Sequence, residues 1–177
     1  MANALYPKWK EQLMQGTAAA LLTGSGTTGV YACLYDVGAG GAYNSAHEFF
    51  SSVVAGQVGT EIELSAGKTY TNGAFDSSTD PTFTSVSGAT CEAVIIFVKT
   101  AGANTTWRLV AYLDTNITNL PVTPNGGNIQ VILHAVPTEM MAIAGGALGA
   151  FVVTNQPRVL KATVAALPKL LKASKYT

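Results

Sequence analysis

The chain has 177 residues, a formal net charge of zero and charged side chains at only 11% of its positions, against about 25% in an ordinary soluble domain. This length fits one domain with an appendage. A surface so poor in charge predicts a chain covered by copies of itself or by a partner. We expect neither a signal peptide nor a membrane-spanning helix, because the most apolar stretch, residues 140–153, falls short of the roughly 20 residues that a span needs.

The charges are divided unevenly along the chain. All ten acidic side chains and five basic ones lie in residues 1–139, whereas the 38 residues after Glu139 hold five basic side chains and no carboxylate. Such a block indicates an arm that contacts another molecule. We therefore predict two domains, a β-rich body at residues 1–138 and an apolar and basic C-terminal arm at residues 139–177.

The first predicted elements are a short helix and a hairpin. Apolar side chains recur every four positions in residues 4–15, which predicts an N-terminal helix with Pro7 in its first turn. Apolar runs at residues 18–22 and 30–35 flank the turn sequence GSGTTG, as in a β-hairpin.

A glycine-rich loop and a second short helix follow. The loop is DVGAGGAY at residues 36–43. Ser45 and Glu48 then have the spacing of a capping box. They predict a helix whose buried face is Phe49, Phe50, Val53 and Val54.

The rest of the body has the pattern of short strands. Strands are predicted at residues 60–64, 68–71, 82–86, 93–98, 107–113 and 129–133. The run AVIIFV at residues 93–98 is continuous and β-branched, which predicts a central strand buried on both faces. Residues 107–113 alternate, as in a half-buried strand. The fold class is therefore mainly β: an antiparallel β-sandwich or small barrel with a short N-terminal helix, one short internal helix and a C-terminal partly helical arm.

The arm carries a predicted partner-binding stripe. Its apolar members, at helical spacing, are Leu160, Val164, Leu167 and Leu171, and the basic side chains alongside are Arg158, Lys161, Lys169 and Lys172. Pro168 predicts a break in this helix. Three interpretations stay open: a helix packed on its own body, an arm on a neighbouring chain, or a helix on a membrane surface. The leucines favour a protein over nucleic acid as the partner.

The sequence offers little for catalysis or for metal binding. His47 and His134 belong to no ligand cluster, and no nucleophile elbow or phosphate-binding loop is present. We therefore predict a non-enzymatic protein with no catalytic residues, no cofactor and no metal.

Three weaker patterns have simpler interpretations. Glu61 and Glu63 face one side of a strand, as a glycosidase pair would, but a solvated strand face is favoured. The loop from Asp76 to Asp80 is rich in oxygen ligands, but a turn cluster is favoured over calcium. The two cysteines lie in apolar runs and are interpreted as buried small side chains, with a disulfide between them left open. They are Cys33 and Cys91.

Several runs of the body form a set that suggests a family. They are MANALYPKWKE at the start, SAHEFFSSV at 45–53, TNGAFD at 71–76, FTSVSG at 83–88, AVIIFV at 93–98 and RLVAYLDT with LPVTPNGGNIQV within 108–131. This set covers roughly residues 1–134 and resembles small virion structural proteins of tailed bacteriophages. The resemblance implies no enzymatic activity and transfers no catalytic residue. The arm lies beyond the usual end of such proteins.

The resemblance implies a capsid cement or decoration protein. It would bind the major capsid protein as a homo-trimer or another homo-oligomer, and it would stabilise the head through its body and its arm. Its location would be the capsid surface of the virion, assembled in the host cytoplasm, with no membrane and with nucleic acid not the primary partner. The alternatives are a tail or neck component, and a carbohydrate-binding module on the virion surface. The stacking faces of that module would be Tyr43, Tyr70, Trp107 and Tyr112.

Overall fold

The computed structural model describes residues 3–16, 24–64, 68–71, 74–77, 80–115 and 117–133, and the backbone of two further strands at 141–142 and 151–156. The strands are β1 (Ala4–Leu5), β2 (Gly29–Tyr35), β3 (Gln57–Glu63), β4 (Lys68–Thr71), β5 (Ala74–Ser77), β6 (Thr82–Phe83), β7 (Ala93–Lys99), β8 (Arg108–Leu113), β9 (Ile117–Thr118), β10 (Asn128–Leu133), β11 (Met141–Ala142) and β12 (Phe151–Gln156). The helices are α1 (Pro7–Met14) and α2 (Val37–Gly40), and two 3₁₀ turns span Phe50–Ser52 and Val54–Gly56.

These strands form three sheets. The first has five strands in the order β1–β8–β7–β2–β3, the second four in the order β6–β10–β12–β9, and the third three in the order β11–β5–β4. Among the described strands, β9 and β12 run parallel and the other neighbours run antiparallel. The prediction of a mainly β chain with antiparallel sheets is confirmed.

β7 is the middle strand of the five-stranded sheet and lies between β8 and β2. Its first six residues, 93–98, are all buried. A strand with apolar side chains on both sides requires a covering layer on each face of the sheet. The prediction that this run forms a central strand buried on both faces is confirmed.

The two faces of the five-stranded sheet carry different side chains. Alternate residues of a strand point to opposite faces. The pairing of β2 and β8 with β7 therefore places Tyr31, Tyr35, Phe97 and Tyr112 on one face, which we call the aromatic face. The opposite face is aliphatic and consists of Val30, Ala32, Leu34, Val94, Ile96, Val98, Ala111 and Leu113.

Phe97 is the centre of a group of packed rings on the aromatic face. Its ring centroid lies 4.2 Å from that of Phe50, 5.7 Å from that of Trp107 and 5.9 Å from that of Tyr31. The side chain of Phe97 is fully buried. Ring pairs of this kind contribute about 0.5–1.5 kcal/mol each beyond the burial of their area. The group therefore fixes how the 3₁₀ turns and the start of β8 pack on the sheet.

The predicted N-terminal helix is α1, and it covers β8. Pro7 occupies its first turn, where an absent N–H costs nothing because it would have no helical partner. Tyr6 and Trp9 are fully buried, and the Tyr6 N–H donates to the Val110 carbonyl at 3.0 Å. Residues 109–113 of β8 are consequently all buried, whereas the sequence predicted alternation between core and solvent. The difference arises because α1 and β1 both pack on this strand.

Two 3₁₀ turns stand where the sequence predicts one capped helix. The capping box does not form, because Glu48 makes an ion pair with Arg108 of β8 and Ser45 caps neither turn. Phe49 forms an isolated β-bridge with Arg108, which keeps the backbone extended at this point. Two of the apolar side chains expected in the core do reach it, namely Phe50 and Val53.

The glycines of the predicted loop allow close packing on Tyr35. A Cβ atom at Gly40 or at Gly56 would overlap the Tyr35 ring. The Asp36 carboxylate caps α2 and accepts a hydrogen bond from the Gly38 N–H at 2.7 Å. The glycine-rich stretch is therefore a capped helical turn that covers a buried tyrosine.

Two described strands of the arm pair with strands of the body. β12 is antiparallel to β10 over all six residues and parallel to β9, and β11 is antiparallel to β5. The domain boundary after residue 138 stays a prediction. Residues 18–22 of the predicted hairpin and the partner-binding stripe at residues 158–172 lie outside the described residues.

Replacing Phe97 by alanine tests the ring group as the main support of the sheet. Loss of a fully buried ring that contacts three others should lower the free energy of unfolding by about 3–5 kcal/mol, measured by urea denaturation. Met14→Ala is the control, because Met14 is 80% exposed and its truncation should change stability by less than about 0.5 kcal/mol. Equal midpoints for the two variants would contradict the central role of Phe97.

Candidate functional site

A charged cluster lies at the rim of the aromatic face. The Lys99 Nζ atom is 2.7 Å from Glu61 Oε1 and lies 4.5 Å from the ring centroid of Trp107 and 5.0 Å from that of Tyr31. Gln57 Nε2 donates to the second Glu61 oxygen at 2.9 Å. Both charged side chains are partly buried, at 23% exposure for the lysine and 18% for the glutamate. Each charge is paired, so this cluster acts as a cover for the rings.

These contacts change the pKa of the Glu61 carboxyl. Burial, the largest single influence, raises its pKa, but hydrogen bonds from Lys99, from its own backbone and from Gln57 act in the opposite direction and bring the pKa below its ordinary value. Glu63 has a different partner, since its Oε1 accepts from the Gly26 N–H at 2.9 Å. The two glutamates therefore serve separate contacts and do not form a carboxylate pair.

An open cleft of about 330 Å³ lies where three strands of the five-stranded sheet terminate. These are the end of β2, the start of β7 and the end of β8. We call it the strand-end cleft, and its lining residues are Val37, Ala42, Glu92, Tyr112, Asp114, Leu120 and Pro121. It brings together two carboxylates, because Glu92 directly precedes β7 and Asp114 directly follows its antiparallel neighbour.

Both carboxylates of the strand-end cleft are held by neighbouring donors. Glu92 Oε2 accepts from the Val37 N–H at 2.9 Å, and Asp114 Oδ1 accepts from the Thr115 hydroxyl at 2.7 Å. The Asn3 side chain accepts from the backbone N–H groups of Asp114 and Thr115, at 2.9 Å each. Sequence reasoning missed this pair. The available signal was a carboxylate before one predicted strand and another after the next.

Four tyrosines pack behind the strand-end cleft. The Tyr112 ring lies 5.7 Å from Tyr43 and 6.1 Å from Tyr35, and Tyr6 lies 5.1 Å from Tyr43, between ring centroids. Burial, with a further contribution from the carboxylates of the cleft, raises the pKa of Tyr112 to about 12. These rings, like Trp107, pack against other rings and do not form an exposed stacking platform; the Tyr70 side chain lies outside the described residues.

The other residues singled out from the sequence do not form a reactive site. His47 is partly buried and its Nδ1 atom has no hydrogen-bond partner among the described residues, whereas His134 lies outside them. The Asp76 side chain is likewise outside them. Within the described part of the chain, no group of three or more His, Cys, Asp or Glu side chains could hold a metal ion. Nor does that part contain a helix long and apolar enough to cross a membrane.

The two cysteines are buried and unpaired. Burial raises the pKa of the Cys33 thiol far above its ordinary value and that of the Cys91 thiol to about 12. The Cys91 Sγ atom contacts the Ala89 carbonyl oxygen at 3.7 Å. Both side chains act as small apolar core residues, so this interpretation of the sequence is confirmed and the disulfide alternative is wrong.

Comparison with known proteins finds a similarity at the C-terminal end of the chain. Residues 123–177 match the family described as motility protein A N-terminal. Motility protein A of Escherichia coli (strain K12) is 40% identical over 52 residues, which are 29% of this chain and 17% of that protein. Motility protein A of Salmonella typhimurium (strain LT2) is 38% identical over 52 residues, with the same coverage. No solved structure matches the chain.

The chain thus spans 17% of the length of these relatives, and residues 1–122 lie outside the family match. The matched segment begins in the loop before β10 and includes β10, β11 and β12. It also includes the whole predicted partner-binding stripe, from Arg158 to Lys172.

These matches correct the functional prediction. The assignment to bacteriophage virion proteins is wrong, and with it the capsid cement function, its tail and carbohydrate-binding alternatives, the major capsid protein as partner and the virion location. The prediction that the chain has no membrane partner is contradicted by the same matches. The runs behind that assignment were short strand and turn sequences such as residues 93–98, whose composition follows from burial in many β-sheets. The family match instead extends along residues 123–177.

Replacing Glu61 by glutamine tests its ion pair through pH. Because folding lowers the pKa of Glu61, its stabilising contribution is full above the pKa of the unfolded chain and is lost as the pH falls through the folded-state pKa. The wild type should exceed Glu61→Gln in unfolding free energy by about 1 kcal/mol near neutral pH, and the difference should vanish in acid. Urea denaturation over a pH series measures it.

Glu11→Gln is the matched control for this series, because Glu11 pairs with Lys8 in an exposed position. Exposed pairs contribute little, so this variant should follow the wild type at every pH. A Glu61→Gln difference that persists in acid would show that the carboxylate charge is not what stabilises the fold.

The buried thiols should be unreactive in the folded chain. A raised pKa suppresses the thiolate, and burial blocks access of the reagent. Titration with Ellman's reagent near pH 8 should detect both cysteines in guanidinium chloride, and neither on the same timescale in buffer. Rapid reaction of one thiol in buffer would show that the part of the fold around that cysteine opens readily.

Proposed function

We propose that residues 123–177 form a segment of the motility protein A type, through which this chain acts in bacterial motility as a non-enzymatic structural protein. The observation that carries the proposal is the family match over these residues, together with identities of 40% and 38% to motility protein A of two bacteria.

The body would be attached to the matched segment through paired strands. β10 is hydrogen-bonded on one side to β12, also within the segment, and on the other to β6 of the body. Backbone pairing of this kind joins the segment to the body by several hydrogen bonds along the strands. In this proposal the body is therefore a rigid attachment next to the segment that makes the functional contact.

The partner-binding stripe would supply that contact. Leu160, Leu167 and their apolar neighbours would pack on a protein of the motility apparatus, and the basic side chains alongside would orient the encounter. The whole stripe lies inside the family match. The residues after Glu139 carry five basic side chains and no carboxylate, which favours an acidic partner surface.

Swimming of Escherichia coli (strain K12) in soft agar tests the proposal. The full chain, produced in this strain, should compete for the contacts of the corresponding segment of the host's own motility protein A and should reduce the diameter of the swimming ring. Leu160→Gln combined with Leu167→Gln should restore the diameter, because buried polar amides weaken an apolar contact. Growth rate and chain abundance, by immunoblot, must be equal in all strains.

Met14→Gln is the control variant, because Met14 is exposed and lies outside the matched segment. It should inhibit swimming as the wild-type chain does. Rings of normal size with abundant wild-type chain would overturn the proposed function. Inhibition that survives the double leucine substitution would retain the segment and reject the stripe as its contact surface.

A further inference from the structure

We propose that Asn125 is a site of covalent self-modification, at which the side-chain amide becomes a carboxylate through a cyclic imide formed with the backbone nitrogen of Gly126. Both residues are exposed and lie in the loop before β10. The reaction needs only water. The proposal therefore goes beyond a role in motility and does not depend on it.

The bond changes define the reaction, which makes asparagine a thermolabile residue. The Gly126 nitrogen attacks the Asn125 Cγ atom, the bond from Cγ to the side-chain nitrogen breaks, and ammonia leaves with the proton of the Gly126 N–H. Water then cleaves one of the two imide bonds. Cleavage at Cγ gives an aspartate, whereas cleavage at the backbone carbonyl of Asn125 gives an isoaspartate, whose main chain runs through the side chain.

The residues of this turn favour ring closure. Glycine has no side chain to hinder the approach of its nitrogen, and it adopts backbone conformations that other residues avoid. Gly126 is in such a conformation, with a φ of +81°. The Gly127 N–H donates to Asn125 Oδ1 at 3.0 Å. This bond keeps the asparagine side chain beside its own backbone and polarises the carbonyl that is attacked.

Hydrogen bonds to Val86 restrain the reaction in the folded chain. The Gly126 N–H donates to the Val86 carbonyl at 2.8 Å, and the Val86 N–H donates to the Gly127 carbonyl at 2.9 Å. The attacking nitrogen is thus engaged as a donor, and its peptide group is fixed to another part of the chain. Because ring closure requires this attachment to break, we expect the rate to follow the fraction of molecules in which the turn is open.

The Asn128 side chain helps to hold the turn closed. Its Oδ1 atom accepts from the Ser85 N–H at 3.0 Å. Ser85 has a φ of +52°, a left-handed conformation that is strained for a residue with a side chain. Opening of the turn would relieve this strain. The Asn128 contact opposes opening, and a side-chain substitution removes it.

The product would change both the charge and the attachment of the loop. Glu139 is the single acidic side chain of residues 123–177, and the reaction adds a second carboxylate to this segment. An isoaspartate also adds a methylene to the main chain. This extension would move the Gly126 N–H away from the Val86 carbonyl and loosen the chain directly before β10.

Peptide mapping by mass spectrometry tests the proposal on the full chain, incubated near pH 8 in buffer and in guanidinium chloride. The peptide with residue 125 should gain the mass difference between asparagine and aspartate. The gain should be roughly tenfold or more slower in buffer, because two hydrogen bonds must break there. Mapping separates this site from the other Asn–Gly dipeptide, at residues 72–73. Asn125→Gln is the control and should stay unmodified, because its longer side chain would have to close a larger ring.

Asn128→Ala tests the restraint by the fold. In buffer, Asn125 should react several-fold faster in this variant than in the wild type, whereas the two rates should be equal in guanidinium chloride. Asn128→Asp keeps an acceptor oxygen and should stay close to the wild type in buffer. Circular dichroism checks folding. If Asn128→Ala is unfolded in buffer, its rate there should match its rate in guanidinium chloride, and a slower rate would contradict the proposal.

Three results would overturn the proposal. The first is no mass gain at residue 125 in either condition. The second is an equal rate for the wild type in buffer and in guanidinium chloride, which would show that the hydrogen bonds to Val86 do not control the reaction. The third is a gain in guanidinium chloride alone, with none in buffer even for Asn128→Ala, because the folded chain would then lack the site.

Discussion

The burial of β7 on both of its faces is the constraint on which the rest of the structure depends. Residues 93–98 contain no polar side chain, so both faces of the five-stranded sheet must be covered. The register of β2 and β8 against β7 sorts the large rings onto one side and the branched aliphatic side chains onto the other. α1, the 3₁₀ turns and the loop before β8 then pack where the rings require a cover.

The charged groups occupy positions left by this burial. Lys99 is the first residue of β7 beyond its buried run, and it lies over two rings while Glu61 pairs with its charge. Glu92 lies at the opposite end of β7, directly before the first residue of that strand and beside the end of β8. The ion pair and the strand-end cleft are thus two consequences of one apolar strand, because charged side chains must lie at its ends.

The family match lies at the C-terminal end of the chain, whereas most of the runs that suggested a virion protein precede residue 123. The runs that suggested a virion protein lie in strands and turns of the body, where burial and turn geometry restrict the choice of residue in unrelated folds. The family match begins at residue 123, before the last acidic residue, Glu139. The charge break therefore lies inside one homologous segment and does not mark its start. The fold also crosses the charge break, because β10 precedes Glu139, β12 follows it, and the two strands pair with each other.

The sequence by itself determined the elements whose signal is local. It predicted a mainly β chain, an N-terminal helix with Pro7 in its first turn, a central strand at residues 93–98 and two buried cysteines, because apolar periodicity and propensity act over a few neighbouring residues. Only the tertiary structure decided the rest. Glu48 pairs with Arg108 and not within a capping box, and β8 is buried throughout because α1 covers it. Glu92 and Asp114 line the same cleft because antiparallel pairing brings the start of one strand beside the end of the next, and such an arrangement depends on how distant strands pair.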